Sequence, residues 1–210
     1  MHEPYQEQAT RPARNPSTPM KLAIGVMGSS GPPYSDGAWD KLVQVGRRIA
    51  ERECVLITGA CPGLPYAAVQ GARERGGLVV GISPALSLQE HTHRYQSPTD
   101  GFDVIIYTGS GLMAREVENI RSSDIVLIAG GRSGTLGEFA IAYDEGRLLG
   151  VLTGTGGIAD AVAELVRLSD KRTGAAVIYD DDPVRLVERL IDHYQKRHYK
   201  RPSVFARKPS

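Results

Sequence analysis

The chain of 210 residues predicts an α/β fold: a doubly wound, Rossmann-like parallel sheet of about seven strands, with helices on both faces. Three observations carry that expectation. The strand candidates are short, continuous apolar runs, the pattern of strands buried on both faces rather than on one. Segments with apolar residues at helical spacing lie between them, so strand and helix alternate along the chain. Glycine-rich turns close several of the strands.

The elements follow in order. Residues 1–20 are polar and proline-rich without periodicity and read as a disordered leader. LAIGVM at 22–27 is the first strand and ends at Gly28-Ser29-Ser30-Gly31. Trp39, Leu42, Val43, Gly46, Ile49 and Ala50 give 37–52 a helical period. CVLIT at 54–58 is the second strand, and an alanine-rich helix over 66–75 stops at Gly76-Gly77. LVVGI at 78–82 is the third strand. The polar stretch 84–100 then predicts a surface loop or lid. DVIIY at 103–107 and DIVLIA at 124–129 flank a helix over 112–121. Glycines crowd at 130, 131, 134 and 137 before a helix reaching Tyr143. LLGVL at 148–152, a helix over 158–168 and AVIY at 176–179 follow. A last helix opens with Asp182-Pro183, an acidic cap with proline in the first turn, and runs to about residue 194. Residues 21–195 thus form one domain, and 196–210 a basic tail.

Composition narrows the function. Lys and Arg number 25 against 24 Asp and Glu, a net charge of +1. Six of the basic groups lie in the last fifteen residues, so 21–195 holds 17 basic and 22 acidic residues. A basic body built to hold nucleic acid is excluded. Two cysteines make no disulfide framework and have no zinc-ligand spacing, and no metal site is expected. No apolar run approaches the roughly 18 residues that span a bilayer. No membrane partner is expected, and a cytoplasmic protein is the default.

In a doubly wound sheet, ligands bind beyond the carboxyl ends of the strands, where strand order reverses. Three strand exits carry glycine-rich turns: Gly28-Ser29-Ser30-Gly31, Thr58-Gly59-Ala60-Cys61-Pro62-Gly63 and Gly130-Gly131-Arg132-Ser133-Gly134-Thr135. Glycine lets backbone approach an anion, and the helix that follows offers free N–H donors with a partial positive charge. Gly28, Ser29, Ser30, Gly59, Gly130, Gly131, Arg132, Ser133, Gly134 and Thr135 are therefore the candidate phosphate or nucleotide contacts. The dinucleotide fingerprint and the P-loop are both absent, so a mononucleotide fits better than NAD. In the third loop, Ser133 and Thr135 place hydroxyls at a helix start. Glu138 stands three residues after Thr135, the spacing of a capping box. A functional Glu138 needs a partner, and Arg115 on the preceding helix is the candidate.

Met113-Ala114-Arg115, Asp124 nine residues after the Arg, and GGRSGTLGE at 130–138 together resemble the LONELY GUY superfamily, whose members are often labelled lysine decarboxylase-like. The Gly-Ser-Ser after the first strand, the TGACPG turn and GGLVVGISP at 76–84 match its other landmarks. The resemblance implies a phosphoribohydrolase that splits a nucleoside 5′-monophosphate into base and ribose 5-phosphate. It implies Arg115 and Glu138 as the catalytic pair, and Gly131, Ser133, Gly134 and Thr135 as the phosphate loop. It further implies a homodimer or a dimer of dimers. Related proteins bind molybdenum cofactor without known catalysis, so a carrier or sensor of a phosphorylated ligand stays open beside the hydrolase.

This chain departs from the family pattern in two places. Gly130 and Arg132 replace a Pro and a Gly of the loop, and Glu116 and Val117 follow Arg115. Arg132 adds a cation to the loop. No cofactor is called for. A true lysine decarboxylase needs a Schiff-base lysine, whereas the only lysines of 21–195 are Lys21, Lys41 and Lys171, none at a predicted pocket.

Overall fold

The computed structural model describes residues 20–198. The leader and most of the basic tail lie outside the described residues. Seven parallel strands form one sheet: β1 (Ala23–Gly28), β2 (Val55–Thr58), β3 (Leu78–Ser83), β4 (Val104–Tyr107), β5 (Ile125–Ala129), β6 (Leu148–Leu152) and β7 (Ala176–Asp180). Their order across the sheet is β4-β3-β2-β1-β5-β6-β7. The reversal falls between β1 and β5, which run in register from Ile24 against Ile125 to Gly28 against Ala129. Five helices lie between strands, α1 (Ala38–Glu51), α2 (Leu64–Glu74), α3 (Gly111–Arg121), α4 (Ser133–Asp144) and α5 (Gly157–Ser169), and α6 (Pro183–His193) follows β7. The doubly wound expectation holds.

The two faces of the sheet bury separate cores. Ile24 and Val26 of β1, with Ile125 and Leu127 of β5, point toward α1, α2 and α6. Val126 and Ile128 of β5, with Met27, point toward α3, α4 and α5. Strands apolar at every position are what two covered faces require. β4 is an edge strand, and its Val104 and Ile106 are exposed.

Several boundaries differ from the sequence reading. α2 starts at Leu64 rather than 66, because Pro65 takes a first-turn position where its missing N–H costs nothing. α4 starts at Ser133, so the glycines at 134 and 137 lie inside the helix. The 84–100 stretch is not irregular throughout. It holds a wide helical turn, Glu90–Arg94, pinned by the fully buried His91. The Nε2 atom of His91 donates to the Pro98 carbonyl at 3.0 Å, and its Nδ1 pairs with the Ser83 hydroxyl at 2.8 Å. The chain also continues past α6 in a wide helical turn over Tyr194–His198.

Polar anchors secure the frame. Asp124 accepts from the Ala23 N–H at 2.9 Å and so ties the start of β1 to β5. Asp182 caps α6 by accepting from the Arg185 N–H at 2.8 Å. Asp180 is held far below the usual carboxylate range by hydrogen bonds from Arg185 and Arg189. The Asp180–Asp182 run therefore serves the last helix, and no metal-binding group of three or more ligands occurs among the described residues.

α1 and α2 cross at two glycines. A Cβ on Gly46 would collide with the Ala68 carbonyl, and one on Gly71 with the Val43 carbonyl. Backbone cannot yield as a side-chain tip can. Gly46→Ala should gain about 1 kcal/mol of helix propensity, yet lose more by forcing the helices apart, for a net loss of about 1–3 kcal/mol. A lower midpoint in chemical denaturation, with an unchanged slope, is the expected result.

Candidate functional site

β1 leads to α1 on one face and β5 leads to α4 on the other, so their exit loops diverge. A cavity of about 690 Å³ opens where they part, within the usual range for small-molecule sites. The approach of the two strands is close: a Cβ on Gly28 would collide with the Ala129 carbonyl. The second exit loop is stitched to the first, with the Leu64 N–H donating to the Ser29 carbonyl at 2.8 Å. A Cβ on Gly63 would strike that same carbonyl.

Eight of the ten expected phosphate contacts line the cavity: Gly28, Ser29, Ser30, Gly59, Arg132, Ser133, Gly134 and Thr135. Gly130 and Gly131 do not. They form the turn behind the site, with positive φ angles of 59° and 101°. Their carbonyls accept from Ala159 and Ile158 at the start of α5. The Gly130 N–H donates to the Thr155 hydroxyl at 2.9 Å. The Ser29 hydroxyl is engaged within its own loop, donating to the Gly31 carbonyl at 2.7 Å.

The N-terminus of α4 opens into the cavity. Its cap residue is Arg132, which places no side-chain acceptor over the first turn. The capping-box alternative for Thr135 and Glu138 is not realised: the helix begins two residues before Thr135, and Glu138 turns inward instead. Arg132 and Ser133 are exposed at the rim, and Thr135 is buried. First-turn N–H groups without a side-chain cap, beside an arginine, offer donors and positive charge of the kind an anion takes.

Arg115 of α3 and Glu138 of α4 meet at the cavity floor. They are 9% and 6% exposed, and Nη1 stands 3.9 Å from Oε1. That separation is a charge contact beyond hydrogen-bond range. The guanidinium packs on the bare Cα of Gly59, where any Cβ would collide with it. Its Nε atom has no hydrogen-bond partner among the described residues. Burial pushes the Glu138 carboxyl up to about 7, with Arg115 opposing and Glu116 adding to the rise.

Glu116 follows Arg115 on α3. It also lines the cavity, packed on α4 beside Gly134 and Gly137. Asn119 was missed. It is fully buried and lies one turn beyond Arg115 on the same face of α3, and that i+4 spacing is the signal that would have found it. Leu112 and Met113 were missed as cavity lining as well. Cys61, Arg94 and Tyr95 do border the cavity. Burial raises the Cys61 thiol despite Arg115 nearby, so it stays protonated at neutral pH and has packing as its role. Lys41 is spent on the Thr153 carbonyl at 3.3 Å and Lys171 on Asp144 at 2.9 Å.

This architecture, a reversal-point cavity with a glycine-rich helix start, defines a Rossmann-like ligand-binding class. Residues 21–187 match the SLOG cluster4 family model, and the chain belongs to that family. An uncharacterized protein of Archaeoglobus fulgidus is 37% identical over 129 residues, which is 61% of this chain and 78% of that one. The crystal structure of TM1055 superposes with a TM-score of 0.72 at 28% identity, covering 83% of this chain and 99% of that one. The molybdenum cofactor binding protein of the phototrophic bacterium Rippkaea orientalis superposes at 0.62, also with 28% identity and the same coverage. No helix of the described residues is long and apolar enough to cross a membrane.

A carboxyl raised on folding destabilises the native state as pH rises through its shifted range. Glu138 moves from 4.5 to about 7. Glu138→Gln removes that titration, so wild type should lose about 3 kcal/mol relative to the variant between pH 4.5 and 7. The difference between the two denaturation midpoints should move in the variant's favour as pH rises across that window.

Proposed function

We propose that this protein binds a small phosphorylated ligand of the nucleotide type at the β1–β5 exit and hydrolyses the N-glycosidic bond of a nucleoside 5′-monophosphate. One observation carries the reading: a buried Arg115–Glu138 pair beside an uncapped helix start, inside one cavity. The ligand phosphate is taken by the first-turn N–H groups of α4 with the Ser133 and Thr135 hydroxyls, and Arg132 supplies countercharge. Gly130 and Gly131 shape this loop from behind.

As the bond from C1′ to the base breaks, positive charge develops on the ribose. The Glu138 carboxylate stabilises that charge and orients the water that attacks C1′. Arg115 favours the ionised form of Glu138 and keeps it in place. The products are the free base, which takes a proton, and ribose 5-phosphate. The site must work with Glu138 ionised, so the rate should rise about tenfold per pH unit below 7 and level off above it.

Incubation with AMP and chromatographic detection of adenine is the primary test, extended to a panel of 5′-monophosphates. Glu138→Ala should lower turnover by about 10²–10³. Absence of base release from every nucleotide, with wild type and variant alike, would sink the hydrolase.

A second reading is binding without turnover. The likeness to the Rippkaea orientalis molybdenum cofactor binding protein favours it, as does the extra cation Arg132. Retention of a phosphorylated pterin through gel filtration, with no product formed, is its expected signature. The homodimer or dimer of dimers implied by the family resemblance is checked in the same run by light scattering.

A further inference from the structure

Glycosidic hydrolysis uses Arg115, Glu138 and the start of α4, and leaves the other end of the cavity without a role. The strand exits follow one another along the cavity in sheet order. The β5 exit contributes Ser133, Gly134 and Thr135 at the start of α4, and the β1 exit contributes Ser29 and Ser30. The β2 exit contributes Gly59 and Cys61, and the Arg115 guanidinium packs on that Gly59. The β3 exit contributes Pro84, followed by Arg94 and Tyr95 of the 84–98 segment. Adjacent strands lie about 4.8 Å apart, so the row from β5 to β3 spans about 14 Å. The start of α4 and the β3 exit are its two ends, and the charged pair stands between them.

The β3 end is apolar and aromatic. The start of α3 is fastened to it, with the Gly111 N–H donating to the Pro84 carbonyl at 3.2 Å. Leu112 and Met113 follow directly and line the cavity while 55% and 72% exposed. Tyr95 is half-buried, and its mount is constrained on both sides. The Tyr95 N–H donates to the Glu90 carbonyl at 3.2 Å, and the Ser97 N–H to the His91 carbonyl at 3.1 Å. Gln96 between them holds a left-handed φ of 47°, a conformation that a side chain makes costly. An aromatic side chain held this way gives up little freedom when it meets a ligand. The Arg94 guanidinium lies over the ring, 5.4 Å from its centroid, and is itself paired with Glu90 at 2.6 Å. A cation on one face leaves the opposite face for a ligand.

A ligand laid along this row sets its phosphate at α4 and its sugar over the Arg115–Glu138 pair. The group beyond the sugar then reaches Tyr95, Leu112 and Met113, which offer flat, apolar contact, the one cation there being spent on Glu90. Such surroundings suit a planar heterocycle. We propose that Tyr95 is a specificity-determining residue that stacks on the planar heterocycle of the phosphorylated ligand, at the end of the cavity opposite the start of α4. The inference rests on the reading that a phosphorylated ligand occupies this cavity.

Calorimetric titration of the full chain carrying Glu138→Gln, so that nothing is turned over, tests it with four ligands: ribose 5-phosphate, AMP, GMP and a 6-(phosphooxymethyl)pterin. At least one of the three heterocycles should bind more tightly than ribose 5-phosphate, and the tightest identifies the source of the ring. Adding Tyr95→Ala should weaken that ligand roughly 10- to 100-fold, the range of one aromatic stack. Ribose 5-phosphate binding should stay unchanged, which also reports that the variant is folded. Tyr95→Phe keeps the ring and should keep the affinity. Equal weakening of ribose 5-phosphate by Tyr95→Ala overturns the proposal, because the residue would then only hold the segment in place. A loss with Tyr95→Phe as large as with Tyr95→Ala overturns it too, because the hydroxyl and not the ring would carry the contact. Heterocycles that bind no better than ribose 5-phosphate do the same. If ribose 5-phosphate and all three heterocycles fail to bind, the occupancy of the cavity itself is refuted, and the stacking falls with it.

Discussion

The reversal of strand order between β1 and β5 is the constraint on which the rest depends. Two adjacent parallel strands send their chains to opposite faces of the sheet, so no connection crosses the space above their ends. The candidate site gathers there: the start of α4, the second exit loop folded back onto Ser29, and the inward ends of α3 and α4. The strands themselves only have to be apolar and β-branched. The loops had to be glycine because Gly28 faces a strand carbonyl, Gly63 faces the Ser29 carbonyl, and Gly59 carries a guanidinium on its bare Cα.

Three ionisable side chains share the buried floor of that space; Asn119 hydrogen-bonds Glu138, while Arg115 and Glu116 are poorly satisfied by the protein. Arg115 has an idle Nε, Glu116 an idle Oε2, and the Arg115–Glu138 contact is long. A fold selected for stability alone would tighten or remove such a trio, because a buried ion pair seldom outperforms apolar packing. The end of β7 shows what a well-satisfied buried charge looks like: Asp180, 7% exposed, takes hydrogen bonds from Arg185 and Arg189. Poor satisfaction at the cavity floor and good satisfaction at the end of β7 distinguish the candidate site from a structural clamp.

Most of the fold was legible because two covered faces leave a simple trace, the continuous apolar strand, and all seven strands carried it. Boundaries slipped where a breaker residue had a second use. Pro65 and Gly134 read as turn punctuation yet sit inside helices, one excused by its first-turn position and the other lying against the Glu116 carboxylate. Arg115 and Glu138 were legible through a motif. Asn119 was within reach only through its i+4 spacing from Arg115, and Leu112 and Met113 were not legible, because nothing in a one-dimensional reading tells how far the cavity extends along α3. Glu116 reaches the same cavity as Arg115. Neighbouring residues on a helix do diverge, but by only about 100°, and a cavity wide enough receives both.

The bracket formed by His91 changes how the 84–98 segment is to be understood. Its imidazole joins the end of β3 to the Pro98 carbonyl, so the turn carrying Arg94 and Tyr95 hangs from two fixed points. A segment held at both ends behaves as a shelf rather than a door. Ligand exchange at such a site is governed by how well the occupant matches standing walls, and the energy of association goes into contacts instead of into ordering a mobile flap.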